Sequence, residues 1–118
     1  MDLAVMTRAA PQSTEDDEVF LYEGPVPLAP SHPGETLAAE LHARGLTGNA
    51  LALKLRVPAN RITDILRGRR AITAETALRL GRYLGTGAKF WINRQANYDL
   101  AVAERDHGAA IEQEVDPA

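Results

Sequence analysis

The sequence contains no cysteine, and aromatic residues make up only 5% of its 118 residues. The lack of cysteine excludes disulfides, thiolate metal sites and cysteine nucleophiles, and it is typical of proteins in a reducing compartment. No apolar run approaches the roughly 20 residues needed to span a bilayer, and the first residues contain no apolar signal core. We therefore expect a soluble, cytoplasmic protein with a modest core of mainly Leu, Ala, Ile and Val.

Catalytic and metal-binding patterns are missing as well. The three histidines are dispersed at spacings that match no metal site, and no Ser/His/Asp order indicates a nucleophile. His32 is better placed to cap a helix, and the glycines at 85 and 87 predict a helix end, since a phosphate-binding loop has more glycines and a following Lys. We therefore predict a binding protein, not an enzyme, with no cofactor, no metal, no small-molecule substrate and no membrane association.

Positive charge is concentrated in the middle of the chain. Residues 45–94 contain ten Lys/Arg and two acidic residues, whereas residues 1–30 and 95–118 each contain one Arg and six acidic residues. A basic centre between acidic ends indicates a polyanionic partner for the centre. Charge alone equally permits a solvated basic face with acidic ends that keep the protein soluble.

The spacing of apolar residues after Ser31 predicts five helices and no strand. Leu37, Ala38 and Leu41 define the buried face of the first helix, which stops at Gly45. Thr47 is suited to cap the second helix, and Thr73 the fourth. The predicted helices span 34–44, 48–55, 58–67, 74–84 and 86 to about 105.

The second and third predicted helices form a helix-turn-helix, with the turn at Arg56 and Val57. Ile62, Ile65 and Leu66 lie at i, i+3 and i+4 and would dock the third helix on the bundle. The opposite face stays free, and a helix of this size fits the major groove of DNA. The residues of this free face are Ala59, Asn60, Thr63, Asp64 and Arg67.

Three stretches resemble a known family. TGNALALKLRVPANRITDILRGRR, residues 47–70, resembles the helix-turn-helix of the Cro/repressor (XRE) superfamily. HPGETL at 32–37, VPANRITDILRGRRAITAETALRLGRYLGT at 57–86 and FWINRQANYDL at 90–100 resemble the HigA-type antitoxins of type II toxin–antitoxin modules. The resemblance implies an all-α, five-helix XRE/Cro-like bundle that dimerises, binds its own operator DNA and holds a RelE-like ribonuclease toxin, HigB.

We therefore divide the chain into three parts. We expect residues 1–30 to form an irregular, flexible and acidic N-terminal extension, which exceeds the family core. Residues 31–106 form the helix-turn-helix domain for DNA binding and dimerisation. Residues 107–118 form an acidic C-terminal tail.

The resemblance also implies roles for individual residues at the DNA. Asn60 and Asp64 occupy base-reading positions, since Asn suits adenine and Asp can accept from cytosine N4. Asp64 is equally placed to pair with Arg61 or Arg67 and so to order those arginines. Ala59 would make an apolar contact, and the arginines after the helix would clamp phosphates. The predicted DNA-binding residues are Thr47, Ala59, Asn60, Arg61, Asp64, Arg67, Arg69 and Arg70.

Two positions depart from the family pattern. Arg56 stands in the turn where Gly is common, and a positive φ there would cost on the order of 1 kcal/mol. Gly48 stands where Ser or Gln is common, so only its backbone N–H remains to hold a phosphate.

Protein partners are harder to locate. Trp91, Tyr98 and Leu100 are predicted dimer contacts, although Trp91 equally suits the core. For the toxin, the acidic N-terminal arm, the bundle and the acidic C-terminal tail are all open. We favour the arm, together with the first helix, because complementary charge would speed encounter with a basic toxin. The predicted toxin-binding residues are Glu18, Val19, Phe20, Leu21 and Tyr22.

Two other functions fit the same residues. One is a stand-alone XRE-family transcriptional regulator without a toxin partner. The other is a helical adaptor that binds only proteins, whose retention on DNA would not depend on salt.

Overall fold

The computed structural model describes residues 30–118, and within this range it contains helices and no strand. The helices are α1 (Pro33–Arg44), α2 (Gly48–Leu55), α3 (Ala59–Leu66), α4 (Ala74–Leu84) and α5 (Ala88–Glu114). The predicted all-α, five-helix fold is confirmed. The bounds of the second and fourth helices agree with the prediction.

Side-chain caps fix the beginnings of three helices. His32 Nδ1 accepts a hydrogen bond from the Gly34 N–H at 2.9 Å, which confirms the capping role of this histidine. Thr47 Oγ1 accepts from the Ala50 N–H at 3.1 Å, and Thr73 Oγ1 accepts from the Thr76 N–H at 3.3 Å. Each cap satisfies an N–H group that has no partner within its helix.

Three details of the prediction were wrong. Pro58 precedes α3 instead of lying in its first turn. Ala38 is exposed on α1, on the side away from the buried Leu37 and Leu41. The fifth helix begins at Ala88 and continues to Glu114 instead of stopping near Arg105. The two alanines and two glutamates in residues 106–114 favour the helix, and a single glycine within this stretch is tolerated.

The core lies where α1 to α4 meet the N-terminal half of α5. It contains the predicted leucines, isoleucines and alanines, whereas the core of residues 30–118 has no fully buried valine, and it contains in addition the indole of Trp91, which is 0% exposed. The Trp91 Nε1–H donates to Thr86 Oγ1 at 2.8 Å, so the hydroxyl predicted to start α5 serves the buried indole. The core residues are Leu37, Leu41, Leu51, Ala52, Leu55, Ile62, Ile65, Ile72, Ala77, Leu80, Leu84 and Trp91.

Two glycines allow close contact between elements. A Cβ on Gly34 would collide with the carbonyl oxygen of Ile65, so α1 lies directly against α3. A Cβ on Gly81 would collide with the backbone of Gly87, at the start of α5. The first contact sets the position of α3 relative to α1, and the second sets the position of α5 relative to α4. None of the helices in residues 30–118 combines the length and the apolar composition that a bilayer span requires.

Candidate DNA-binding surface

The turn between α2 and α3 is formed by Arg56 in the left-handed conformation, with φ 63° and ψ 46°. The Val57 N–H donates to the Ala52 carbonyl at 3.1 Å, which closes α2 and turns the chain toward α3. The sequence left open whether Arg56 has a positive φ, and in the structure it does. This conformation is strained for a residue with a Cβ.

Helix α3 is divided into a buried side and an outer side. Ile62 and Ile65 are both 0% exposed, which confirms the predicted docking stripe, and Leu66 packs against the core from its edge. On the outer side Ala59 and Asn60 are exposed, and the Asn60 side chain forms no hydrogen bond with another of residues 30–118. The Asn60 amide is therefore available to pair with a base edge.

Asp64 pairs with an arginine other than the two considered from its spacing. Its Oδ2 accepts from Arg70 Nη2 at 3.3 Å, across the end of α3, and neither Arg61 nor Arg67 pairs with it. Arg61 instead lies 3.6 Å from Glu75 Oε1, at the start of α4. The fold brings these charges together, and helical spacing does not indicate either pair.

The arginines that follow α3 lie on a well-held segment. The Gly68 N–H donates to the Ile65 carbonyl at 3.0 Å, and the Arg69 N–H donates to the Asp64 carbonyl at 2.8 Å. A few residues later, the Ile72 N–H donates to Gln95 Oε1 at 2.8 Å. Arg67, Arg69 and Arg70 are exposed along this segment. We call these three residues the arginine cluster.

Sequence reasoning did not single out Gln95. Its side chain is buried, and its Nε2 donates to Asp99 Oδ1 at 2.9 Å while its Oε1 holds the segment that carries the arginine cluster. Gln95 lies one turn after Trp91 on the buried side of α5. A polar residue on an otherwise buried stripe was the available signal, because such a residue requires a hydrogen-bond partner.

The beginning of α2 lies close to α3. Thr47 is exposed, and the donor of its hydroxyl stays free because the oxygen accepts the capping bond. A Cβ on Gly48 would lie 2.9 Å from Leu66 Cδ1, so a side chain at this position would push against α3. Leu66 Cδ1 is the end of a flexible side chain that can move aside, so packing alone does not require glycine at this position.

A second group of cations lies on the α2–α4 side, outside the predicted site. A cavity of about 440 Å³ is lined by Lys54, Leu55, Arg56, Arg79, Arg82 and Tyr83. Arg79 is held in place, since its Nη1 donates to the Leu55 carbonyl at 2.9 Å and its Nη2 lies 3.0 Å from Glu75 Oε2. Lys54, Arg56 and Arg82 form no ion pair with another of residues 30–118.

The three predicted dimer residues occupy different environments. Trp91 lies in the core of the protomer, so its fully buried side chain has no surface to offer a second copy. Tyr98 is half-buried, with its ring 4.9 Å from that of His32 in an edge-to-face arrangement. Leu100 is 61% exposed on α5 and is available to a partner. The predicted toxin-binding residues 18–22 lie outside the described residues.

Comparison with known proteins agrees with this geometry. The Helix-turn-helix family profile matches residues 37–91, which include α2, α3 and α4 entirely. Virulence-associated protein I of Dichelobacter nodosus is 53% identical over 76 residues, which are 64% of this chain and 70% of that protein. A solved addiction module antidote protein of the HigA family from Coxiella burnetii is 48% identical, with a TM-score of 0.75 over 77% of this chain and 100% of the other. The chain belongs to the HigA antitoxin family.

A second HigA structure includes nucleic acid. The Pseudomonas aeruginosa antitoxin HigA, solved with the higBA promoter, is 46% identical to this chain, with a TM-score of 0.73 over 75% of this chain and 97% of the other. The HigA fold of residues 30–118 is thus the fold of a DNA-binding helix-turn-helix protein. Within these residues no group of His, Cys, Asp or Glu is arranged to hold a metal ion.

Proposed function

We propose that this protein is an antitoxin that binds its own operator DNA as a dimer, represses its operon and neutralises a RelE-like ribonuclease toxin of the HigB type. The observation that carries the DNA-binding half is the outer side of α3, where Asn60 is exposed and has no side-chain partner among residues 30–118, on the helix that the arginine cluster follows. The pseudomonal relative solved with the higBA promoter supports the same assignment.

The division of labour on this surface follows from chemistry. The amide of Asn60 can donate and accept at the same time, so it can read adenine, whereas Arg67, Arg69 and Arg70 offer charge to phosphates of any sequence. Thr47, at the start of α2, adds its hydroxyl and nearby N–H groups to the backbone contacts. Ala59 supplies an apolar contact, and Arg61 is positioned by Glu75 at the edge of the reading side.

Binding to promoter fragments tests this division. We expect Asn60→Ala to weaken the free energy of operator binding by about 1–3 kcal/mol and to reduce discrimination against operators with altered bases. The pair Arg69→Ala and Arg70→Ala should weaken binding to all DNA alike and flatten the dependence on salt by about one unit per lost contact. Fluorescence anisotropy from 50 to 300 mM salt measures both effects.

A matched control is available on α5. The double variant Lys89→Ala and Arg105→Ala also removes two positive charges, from exposed positions outside the helix-turn-helix. We expect this variant to keep the wild-type salt dependence. If both double variants flatten the salt dependence equally, the arginine cluster does not have the proposed role. If Asn60→Ala loses affinity without losing discrimination between sites, α3 does not have the proposed role.

Co-expression with the product of the neighbouring gene tests the antitoxin half. We expect that product to arrest growth alone and to be harmless together with this protein, which should co-purify with it. A neighbouring product that is harmless alone, or that stays toxic in the presence of this protein, contradicts toxin neutralisation. Operator binding would then be that of a stand-alone XRE-family regulator.

A further inference from the structure

We propose that the acidic segment Glu15–Glu18 of this chain docks on the arginine cluster and competes there with the phosphates of DNA. The consequence for repression rests on the proposed DNA-binding function, but the docking itself does not. The segment is E-D-D-E in sequence, with four consecutive carboxylates. It lies outside the described residues, and its docking site is inferred from the surface that the structure describes.

The arginine cluster keeps unneutralised charge in the folded domain. Arg70 lies 3.3 Å from Asp64, with side chains that are 44% and 30% exposed, so one of the three charges has a partner. Arg67 and Arg69 form no ion pair with another of residues 30–118. Two exposed guanidinium groups on one short segment therefore attract any mobile anion within a Debye length, about 10 Å at 0.1 M salt.

The N-terminal arm joins the domain directly beside this cluster. A Cβ on Gly68 would lie 3.8 Å from His32 Cγ, so the His32 ring packs against the glycine that separates Arg67 from Arg69. Gly34 lies against the carbonyl of Ile65 in the same place. His32 thus lies next to the arginine cluster, and Pro30 and Ser31, which precede it, line a pocket with Arg94 and Tyr98 of α5.

The arm is also long enough for the contact. Fourteen residues, 19–32, separate the acidic segment from Pro33, and at about 3.6 Å each they span at most ~50 Å. The described fold measures 48 Å in its longest dimension. A tether of this length holds the acidic segment at an effective concentration on the order of millimolar.

Charge spacing favours competition with nucleic acid. Each residue advances a chain by at most about 3.3–3.6 Å, which is close to the ~3.4 Å of helix axis that each phosphate of one DNA strand occupies. Four consecutive carboxylates therefore offer the arginines a charge density similar to that of a short stretch of DNA backbone. Since both ligands need the same guanidinium groups, docking of one excludes the other.

A spin-label experiment tests the docking without DNA. The chain has no cysteine, so Ser13→Cys takes a nitroxide at a single site two residues before Glu15. We expect the label to broaden the amide signals of residues 67–70 in the full-length protein at 50 mM salt, and the effect to disappear at 500 mM. Unaffected signals at 67–70, or broadening mainly at residues 54–56 and 82, would overturn the proposal.

Charge-neutral variants test the competition. Replacing Glu15 and Glu18 by Gln and Asp16 and Asp17 by Asn should tighten operator binding about 3- to 10-fold at low salt. The control variant removes four negative charges from the C-terminal part of the chain. Its substitutions are Glu104→Gln, Glu112→Gln, Glu114→Gln and Asp116→Asn. If the control tightens binding as much, only general repulsion operates and the docking proposal fails.

The two proposals fail in different ways. Absence of any operator binding would refute the proposed repressor function, while the spin-label result would still decide the docking. Normal operator binding without broadening at residues 67–70 would refute the docking alone.

Discussion

Arg56 shows how a single residue departs from its preferred conformation to close the helix-turn-helix. Its φ of 63° is the one positive value among the non-glycine residues of the described range. The side chain is exposed and lines the α2–α4 cavity, where nothing in residues 30–118 neutralises it. The strain is therefore not offset by an ion pair within the described domain.

We expect Arg56→Gly to raise the free energy of unfolding by about 0.5–1 kcal/mol, because glycine adopts this conformation without strain but loses more entropy on folding. Urea denaturation measures the change. The control is Lys54→Gly, two residues earlier within α2, which should lower the free energy of unfolding by about 1 kcal/mol. If Arg56→Gly destabilises the protein as Lys54→Gly does, the arginine side chain makes contacts that outweigh its backbone strain.

Gln95 links α5 to the segment that carries the arginine cluster. We expect Gln95→Leu to lower the free energy of unfolding by about 1–3 kcal/mol, because it leaves the Ile72 N–H buried without its acceptor. Hydrogen exchange should show faster exchange at Ile72 and a less ordered segment before it. DNA affinity should fall as well, because the arginines would be less well positioned.

A second variant distinguishes the two bonds of Gln95. Asp99→Ala removes the carboxylate that accepts from Gln95 Nε2 at 2.9 Å but leaves the bond to Ile72 in place. Since Asp99 is exposed, we expect Asp99→Ala to lower the free energy of unfolding by less than about 0.5 kcal/mol. Equal losses for the two variants would mean that the Ile72 bond is not what makes Gln95 important.

At the scale of elements, the junction of α4 and α5 depends on the absence of a side chain. Gly81 is buried, and a Cβ there would collide with the backbone of Gly87. Because both partners are backbone, a flexible side chain cannot move away to relieve the contact. We expect Gly81→Ala to lower the free energy of unfolding by about 1–3 kcal/mol or more, as overpacking does.

The same substitution has the opposite effect where space is available. In Gly108→Ala the new Cβ would meet its nearest neighbour, Glu104 Cβ, at 3.9 Å. We expect Gly108→Ala to raise the free energy of unfolding by about 0.5–1 kcal/mol, because alanine has a higher helix propensity than glycine. Thermal unfolding followed by circular dichroism compares the two. A neutral or stabilising Gly81→Ala would show that α4 and α5 can separate slightly at little cost.

These elements also show what the sequence could predict. Caps at His32, Thr47 and Thr73 act over two or three residues, and the stripe of Ile62 and Ile65 follows helical spacing, so local patterns were sufficient for them. The ion pairs of Arg61 and Arg70 connect separate elements, and their partners depend on how α3, α4 and the intervening segment are placed. Helical spacing therefore predicted the outer side of α3 but not its ion pairs.

The end of α5 was missed for a different reason. An acidic C-terminal stretch with a glycine suggests a tail, yet alanines and glutamates are good helix formers and no proline interrupts residues 106–114. Two of the 27 residues of α5 are buried, Trp91 and Gln95. From Ala103 to Glu114 every residue except Gly108 is exposed or nearly so, and the helix extends past the core that packs its first half.

For the whole molecule, this exposed length of α5 bears on the predicted dimer. Ala96, Leu100, Ala103 and His107 follow one another at spacings of four, three and four, and all are exposed. Such spacing aligns side chains along one side of a helix, as in the seam between paired helices. In a two-fold interface each residue contributes twice, so one substitution has a doubled effect.

We expect Leu100→Glu to raise the dissociation constant of the dimer at least about tenfold, which corresponds to about 1.4 kcal/mol. Sedimentation velocity measures it, and binding to a two-half-site operator should weaken in parallel while binding to a single half-site stays unchanged. The matched control is Leu53→Glu on α2, because Leu53 is 80% exposed and Leu100 is 61% exposed. Of these two leucines, only Leu100 belongs to the row of exposed residues on α5. If both variants weaken the dimer equally, or if neither variant weakens it, the contact between protomers does not lie on α5.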